Sequence, residues 1–294
     1  MCIFFLNYCL TKNIKDAILK LLKMNKWEVK MLIETLVSTM NLKNKEEHEK
    51  LIKNMNIKGK SITINQITKN DIEIFSSIEG KNRVISFKEK GLSKSRNKAI
   101  KNSIADICVI ADDDMLYYDN YENIILSAYD KYKEADIIAF CVDTSNKERP
   151  LHRLNEGKLG FKDTLKLVSV QITFRRESFL KNNLKFNELF GAGAKYNCGE
   201  ENILLADACR LGMNIYFVNE TIGSVSNETS TWWDGIFDEK YFNTKGACYY
   251  MIDKDNFEEL TKDFASRKYD LYKNNYSEEQ VIDFMRNGKK EVEH

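Results

Sequence analysis

The chain has 294 residues, enough for one large domain or two small ones, and its content of 43% hydrophobic and 30% charged residues is ordinary for a globular protein. Its 45 basic residues balance 44 acidic ones, which argues against a general nucleic-acid binder with its usual basic excess. The seven cysteines are scattered without a C-x-x-C pair and the three histidines are dispersed. The sequence therefore argues against a zinc site and favours a reduced, cytoplasmic compartment.

Residues 1–30 open with an apolar run, MCIFFLNYCL, that is shorter than the ~20 residues a membrane-spanning helix needs. The residues that follow repeat apolar side chains at helical spacing, with lysines largely off that face, which predicts a basic amphipathic helix. Such a helix can pack on its own domain, or it can lie peripherally on the anionic inner face of a membrane. A third interpretation places the natural start at Met31.

From residue 32 onward, segments typical of strands alternate with segments typical of helices. We predict strands at 32–39, 61–66, 83–87, 106–111, 136–142 and 167–174, and helices at 45–56, 93–103, 120–134 and 198–212. This alternation predicts an α/β domain with a mainly parallel central sheet flanked by helices. The tail predicts amphipathic helices around 256–267 and 277–287.

These patterns predict three parts of the chain. An N-terminal helical extension covers 1–30, an α/β domain covers 31–253, and a helical tail covers 254–294. Within the domain, the regular alternation of 31–143 gives way to a less regular second half at 144–253.

Polar residues follow three of the predicted strands. Ligands of parallel α/β sheets gather outside the carboxyl ends of the strands. That rule places Ser38, Thr39, Asn65, Gln66 and the run Asp112–Asp114 along one rim of the sheet.

Three consecutive aspartates, Asp112–Asp114, end the strand predicted at 106–111. Aspartate oxygens are the ligands that Mg²⁺ and Mn²⁺ prefer, and such an ion completes its shell with water and phosphates. The other interpretation is an acidic turn before the next helix, whose dipole favours negative charge. The spacing alone leaves both interpretations open.

The segment EKGLSKSRNKAI, residues 89–100, places Gly91 at a turn, Ser93 as a helix cap, and Lys94 and Arg96 in the first helical turn. Free backbone N–H groups and the helix dipole make such a helix start an anion site, which basic side chains reinforce. The alternative is an ordinary exposed helix start.

A strand ending in STMN, the turn and helix GLSKSRN, and a strand ending in DDD together resemble the nucleotide-sugar half of family 2 glycosyltransferases. Further on, FNELFGAGAKYNCGEENILLADACRLGMNIYFV (186–218) is similar to the acceptor-side segment of that family. The resemblance covers about residues 32–230. It implies the GT-A fold and a metal-dependent, inverting transfer of a sugar from a nucleotide diphosphate sugar, most often a UDP-sugar. The acceptor would be a hydroxyl of a surface polysaccharide, a lipid-linked glycan, a protein or a metabolite.

The resemblance also implies roles on the donor side. The family's D-x-D motif falls on Asp112–Asp114, so that Asp114 would hold Mn²⁺ or Mg²⁺ at the diphosphate and Asp112 would face the ribose and share the ion. The remaining nucleotide-sugar residues would be Asp113, Lys94, Arg96, Ser38, Thr39, Asn65 and Gln66. Many relatives place an aspartate that reads uracil where this chain has Asn65, which leaves the nucleobase open.

On the acceptor side, the resemblance assigns the catalytic base to Glu201, with Glu200 beside it. This chain has G-E-E where relatives commonly have G-E-D, which leaves the choice between the two glutamates open. Acceptor-binding residues would come from the F-G-x-G stretch and from a later aromatic pair, namely Gly191, Gly193, Trp232 and Trp233. For the tryptophans, core packing is the alternative.

Two other function classes stay open. A sugar nucleotidyltransferase also combines an α/β domain with aspartates and a divalent ion, but its phosphate loop is glycine-rich, and STMNLKNKEEHE at 38–49 has no glycine. A non-catalytic binding or assembly module of the same fold is the other class. The oligomeric state is not predicted.

Overall fold

The structure, a computed structural model, describes residues 31–145, 151–226 and 237–293. The extension predicted for 1–30 and both tryptophans, Trp232 and Trp233, lie outside the described residues. The described residues from Ile33 onward belong to one unit.

The described strands form one sheet, whose members are β1 (Ile33–Met40), β2 (Lys60–Gln66), β3 (Ser76–Ser77), β4 (Asn82–Phe87), β5 (Ile107–Asp112), β6 (Met115–Tyr117), β7 (Ile137–Thr144), β8 (Gly157–Lys158), β9 (Ile172–Arg175) and β10 (Ile215–Val225). The order across the sheet is β3-β4-β2-β1-β5-β9-β7-β10-β6, and β8 pairs with β10. Strands β4, β2, β1 and β5 are parallel neighbours, as are β7 and β10. Strand β9 runs antiparallel between β5 and β7 and joins these two parallel sets.

The described helices are α1 (Lys45–Asn54), α2 (Leu92–Asn102), α3 (Tyr121–Lys131), α4 (Phe161–Thr164), α5 (Arg176–Lys181), α6 (Glu200–Arg210), α7 (Glu239–Ile252), α8 (Phe257–Arg267) and α9 (Glu278–Val292). They flank a mostly parallel sheet, which confirms the predicted fold class. The two helices predicted for the tail are present as α8 and α9. In the part of the chain that the structure describes, none of the helices combines the length and apolar composition needed to cross a bilayer.

The main core lies where central strands meet helices, and their continuous apolar runs are buried on both faces. Leu36, Ile110, Phe174, Leu204 and Phe217 are each at most 2% exposed and share one cluster. Fully burying a side chain of this kind contributes about 1.5–3 kcal/mol. The packed sheet thus gives the rim of the sheet a rigid base.

One charged pair lies inside this framework, away from the rim. Glu34 in β1 is 0% exposed, and its carboxylate accepts hydrogen bonds from Arg83 at 2.7 Å and from Ser103 at 2.8 Å. The backbone amide of Ile104 donates a further bond at 3.1 Å. Buried charges persist in proteins when they are paired in this way.

The strand predicted at 167–174 is right only in its second half. Ser169–Gln171 form a 3₁₀ turn, and β9 begins at Ile172. The amide of Gln171 donates to the carbonyl of Phe140 at 3.1 Å, which fixes the turn beside the sheet. Leu167 is buried in the main core, so its apolar character serves packing outside a strand.

The last three helices share an aromatic core containing Phe242, Phe264 and Met285. Helices α7 and α9 cross with almost no space between their backbones. A Cβ at Gly246 would overlap the carbonyl of Met285, and one at Gly288 would overlap that of Asn243. The crossing therefore depends on glycine at both positions.

Candidate active site

The carboxyl ends of β1, β2 and β5 meet at one rim, as the sequence predicts. Ser38 pairs in register with Asp112, and Thr39 pairs with Asn65. The polar residues at the carboxyl ends of three separate strands are therefore neighbours.

The aspartates after β5 carry incompletely compensated charge. Asp113 accepts a hydrogen bond from the Oγ1 of Thr39 at 2.6 Å, while the buried Oδ1 of Asp114 has no hydrogen-bond partner among the described residues. Burial, together with repulsion from Asp112 and Asp113, raises the pKa of Asp114 to about 6. Burial and the charge of Asp112 also raise the pKa of Asp113. A nearby positive charge would stabilise this arrangement.

The donor set fits a hard divalent cation shared with a ligand. Among the described residues, no group of three or more acidic, histidine or cysteine side chains is arranged to hold an ion alone. Magnesium, however, usually takes one or two protein carboxylates and completes its shell with water and substrate phosphates. The unpartnered oxygen of Asp114 is suited to be one such ligand, with Asp112 two residues before it.

Two predicted nucleoside residues hold the loops of the rim. The Asn65 side chain is 0% exposed, exchanges hydrogen bonds with the backbone of Leu42 at 3.0 Å, and donates to Ser86 at 3.0 Å. The Nε2 of Gln66 donates to the carbonyl of Gly91 at 3.0 Å. Both amides thus shape the rim through bonds to their own chain.

The start of α2 docks against the loop that carries the F-G-x-G stretch. The Leu92 amide donates to the carbonyl of Ala192 at 2.9 Å, and the Ser93 hydroxyl donates to that of Phe190 at 2.6 Å. Within the first turn, Lys94 is partly buried. The next residue, Ser95, donates to the hydroxyl of Ser38 at 2.8 Å, so another predicted nucleoside residue is engaged within the protein.

Arg96 lies at the centre of the site with only 2% of its surface exposed. One terminal nitrogen donates to Glu200 at 2.9 Å, and the other donates to Asp112 at 2.9 Å and to Ser169 at 2.8 Å. Burial alone would lower the pKa of Arg96, but these carboxylates raise it above its ordinary value. The guanidinium therefore joins the aspartate rim to the start of α6.

Glu200 and Glu201 open helix α6 and have different partners. Glu200 is 6% exposed and pairs with Arg96, whereas no described side chain forms a hydrogen bond or ion pair with Glu201. Burial, and next the charge of Glu200, raise the pKa of Glu201, while Arg96 and Lys245 oppose the rise. A carboxylate with a raised pKa is a stronger base than an ordinary glutamate.

The predicted acceptor glycines set the shape of the loop beside α6. Gly191 has a φ of 102°, and a Cβ there would stand 3.2 Å from the carboxyl carbon of Glu200 and 3.1 Å from the hydroxyl of Ser93. Gly193 has a φ of 80° and lies against the side chain of Lys90. Gly191 thus lets the loop approach the Glu200 carboxylate closely.

Sequence reasoning missed two residues of the site. Ser169, which binds Arg96, falls in the turn that was predicted as a strand. Lys245, which acts on Glu201, lies on α7, a helix that we did not predict. Neither residue belongs to a local motif, because each reaches the site through long-range packing.

Comparisons with known proteins identify the family and the fold of the chain. A family model described as glycosyl transferase family 2 matches residues 49–195, which is half of the chain. A crystal structure of S. aureus TarS residues 1–349 in complex with UDP-GlcNAc is similar, with a TM-score of 0.61 and 12% identity over 89% of this chain and 83% of that chain. The same TarS fragment in complex with UDP gives a TM-score of 0.56 and 11% identity over 90% of this chain and 91% of that chain. No curated protein sequence matches significantly. At these identities the structural likeness shows a shared fold.

Proposed function

The chain belongs to glycosyl transferase family 2, and on this premise we propose that it transfers a sugar from a UDP-sugar to a hydroxyl acceptor, with inversion and with the help of a divalent cation. The observation that carries the proposal is the partly buried carboxylate of Asp114, whose Oδ1 has no hydrogen-bond partner among the described residues and which lies beside Asp112 and Asp113. An acidic cluster whose charge is only partly compensated, by Arg96 at Asp112, favours a cation and the phosphates it carries at a ligand rim.

The residues divide the chemistry between two sides. On the donor side, Asp112 and Asp114 would hold Mn²⁺ or Mg²⁺, which supplies Lewis-acid stabilisation of the leaving diphosphate. On the acceptor side, Glu201 takes the proton of the acceptor hydroxyl, whose oxygen then bonds to the anomeric carbon. The bond from that carbon to the diphosphate oxygen breaks, and its electron pair leaves with the nucleotide. Attack opposite the leaving group inverts the anomeric centre.

Uridine is the nucleoside that the comparisons favour, because the similar TarS structures contain UDP and UDP-GlcNAc. The acceptor that we propose is a glycan, either a surface polysaccharide or a lipid-linked one. Catalysis would take place in the cytoplasm. Residues 1–30 are the candidate contact to the inner face of a membrane. Trp232 and Trp233 are the candidate residues that pack against the acceptor.

Calorimetric titration tests the donor side of the proposal. UDP and GDP are titrated into the purified chain with and without Mn²⁺, for wild type and for Asp114→Asn. The expected result is Mn²⁺-dependent binding of UDP that the variant loses. Absence of nucleotide binding to wild type under all these conditions would refute the proposed donor.

Turnover tests the acceptor side, with UDP release from UDP-GlcNAc as the readout and water as the acceptor. Glu201→Gln should retain UDP binding and lower turnover by ~10²-fold or more, because it removes the proton acceptor. Glu200→Gln is the matched control, since it makes the same chemical change one residue earlier. Normal turnover by Glu201→Gln would refute the assignment of the base.

A further inference from the structure

The buried guanidinium of Arg96 connects three separate parts of the chain. Its hydrogen bonds reach Asp112 at the end of β5, Glu200 at the start of α6 and Ser169 in the 3₁₀ turn, all at 2.8–2.9 Å. Its carbon Cζ also stands 5.4 Å from the ring centre of Phe186. One planar guanidinium thus bonds Asp112 and Glu200 at once and links the two acidic groups of the site.

Only an arginine can make this set of bonds from that position. The planar guanidinium presents separate nitrogens in a fixed fork, whereas lysine has one compact ammonium. Here one terminal nitrogen donates a hydrogen bond to Glu200 and the other donates one to Asp112. With 2% exposure, Arg96 also presents almost no surface to a phosphate, so a direct role at the diphosphate would require breaking these pairs.

The charges around Glu201 depend on this arrangement. Arg96 on α2 and Lys245 on α7 stabilise the charged form of Glu201, whereas the charge of Glu200 beside it acts in the opposite direction. The thiols Cys198 and Cys248 face the same region and are buried, with raised pKa values. Glu200 is therefore the acidic neighbour of Glu201 whose charge Arg96 compensates directly.

We propose that Arg96 is a positioning residue that commits Glu200 to an ion pair and leaves Glu201 alone to accept the proton of the acceptor. The same side chain sets the donor rim at Asp112 against the helix that carries the base. This inference rests on the proposed glycosyl transfer. It gives Glu200 a structural role, the ion pair with Arg96, instead of contact with the acceptor.

The first test measures titration on the ligand-free protein and needs no turnover. Glutamate is labelled with ¹³C at the carboxyl carbon, and the Glu201 signal is assigned by its loss in Glu201→Gln. In Arg96→Met the Glu201 midpoint should move up by about one pH unit, because a stabilising positive charge is gone. In Glu200→Gln the midpoint should move down, because a repelling negative charge is gone. Unmoved midpoints in both variants would overturn the proposal.

The second test separates charge from geometry. Arg96→Lys keeps the charge and loses the fork, so UDP release from UDP-GlcNAc should fall by ~10-fold or more, since small misplacements at a catalytic site cost that much. The Glu201 midpoint should move less in Arg96→Lys than in Arg96→Met. Turnover of Arg96→Lys equal to wild type would contradict the proposed positioning role.

Arg83→Lys is the matched control, because Arg83 also pairs with a buried glutamate, Glu34, but away from the rim. This variant should have a lower free energy of unfolding in urea, yet the pH profile of turnover and the Glu201 midpoint should be unchanged.

If the Arg96 variants fail to fold, the Glu201 midpoint and the turnover of Glu200→Gln still test the proposal. A ~10²-fold loss of turnover in Glu200→Gln, together with normal turnover in Glu201→Gln, would make Glu200 the base and overturn the inference. Wild type that neither binds UDP nor turns over UDP-GlcNAc would refute the proposed function instead, while the titration still tests the charge coupling.

Discussion

Replacing Gly199 with alanine should destabilise the fold at the residue just before the two glutamates. Gly199 has a φ of 85°, and a Cβ there would overlap the Sγ of Cys248 and stand 3.2 Å from its Cβ. The left-handed backbone costs alanine about 1–2 kcal/mol, and overpacking against a buried side chain costs a further 1–3 kcal/mol or so. Gly199→Ala should therefore lower the free energy of unfolding by about 2–5 kcal/mol.

A double-mutant cycle with Cys248→Ala divides this loss into its two parts. Removing the sulfur relieves the overlap, so Gly199→Ala should cost only about 1–2 kcal/mol in the Cys248→Ala background. Gly212→Ala is the control, because Gly212 has a φ of 72° but a Cβ added there would meet nothing within 4 Å. Urea unfolding monitored by circular dichroism gives the four free energies. Equal costs of Gly199→Ala in the two backgrounds would refute the close packing of Gly199 on Cys248.

Three further predictions concern charge and packing. Above pH 6, Asp114→Asn should match or exceed the stability of wild type, by on the order of 1 kcal/mol after solvent screening. Because the pKa of Asp114 is raised in the folded protein, its ionisation weakens the fold as pH rises from 3.8 to about 6. Urea midpoints at pH 3.5 and 7.5 test this, and a variant less stable than wild type at pH 7.5 would contradict it. Turnover should fall with decreasing pH through a pKa above the 4.5 of an ordinary glutamate, because Glu201 must be ionised to act as a base; a profile that stays flat down to pH 4.5 would exclude Glu201. Gly288→Ala should lower the free energy of unfolding by about 3 kcal/mol, because the new methyl group would overlap the backbone of Asn243. Gly160→Ala is the control, since its methyl group would have no atom within 4 Å and should cost far less. Urea unfolding measures both, and equal costs would contradict the close crossing of α7 and α9.

Much of the donor half could be predicted because its signals are local. Strand β5 is an apolar run that ends in aspartates, and α2 begins just after Gly91, so periodicity and turn chemistry place both. The rule that ligands gather at the carboxyl ends of parallel strands then brings Ser38 and Asp112 together, and the register confirms their proximity.

The pairings within the site could not be predicted, because they join residues far apart in sequence. The bond from Arg96 to Glu200 spans 104 positions, and no local pattern distinguishes a buried arginine in an ion pair from one that faces a phosphate. The sequence of β10 does not predict one strand of eleven residues, because the polar Asn219 and Glu220 interrupt its apolar run. These two residues are exposed and the register with β7 shifts beside them, so pairing with β7 supplies the order that periodicity does not show.

Strand β9 has a consequence for how the chain is synthesised. It comes from residues 172–175, yet it covers the free edge of β5, which ends at residue 112, and it is the bridge between β5 and β7. Until these residues leave the ribosome, an apolar strand edge stays bare, and such edges pair readily with other chains. A fragment that stops near residue 143 would hold every donor-side residue and still lack the strand that keeps it from aggregating.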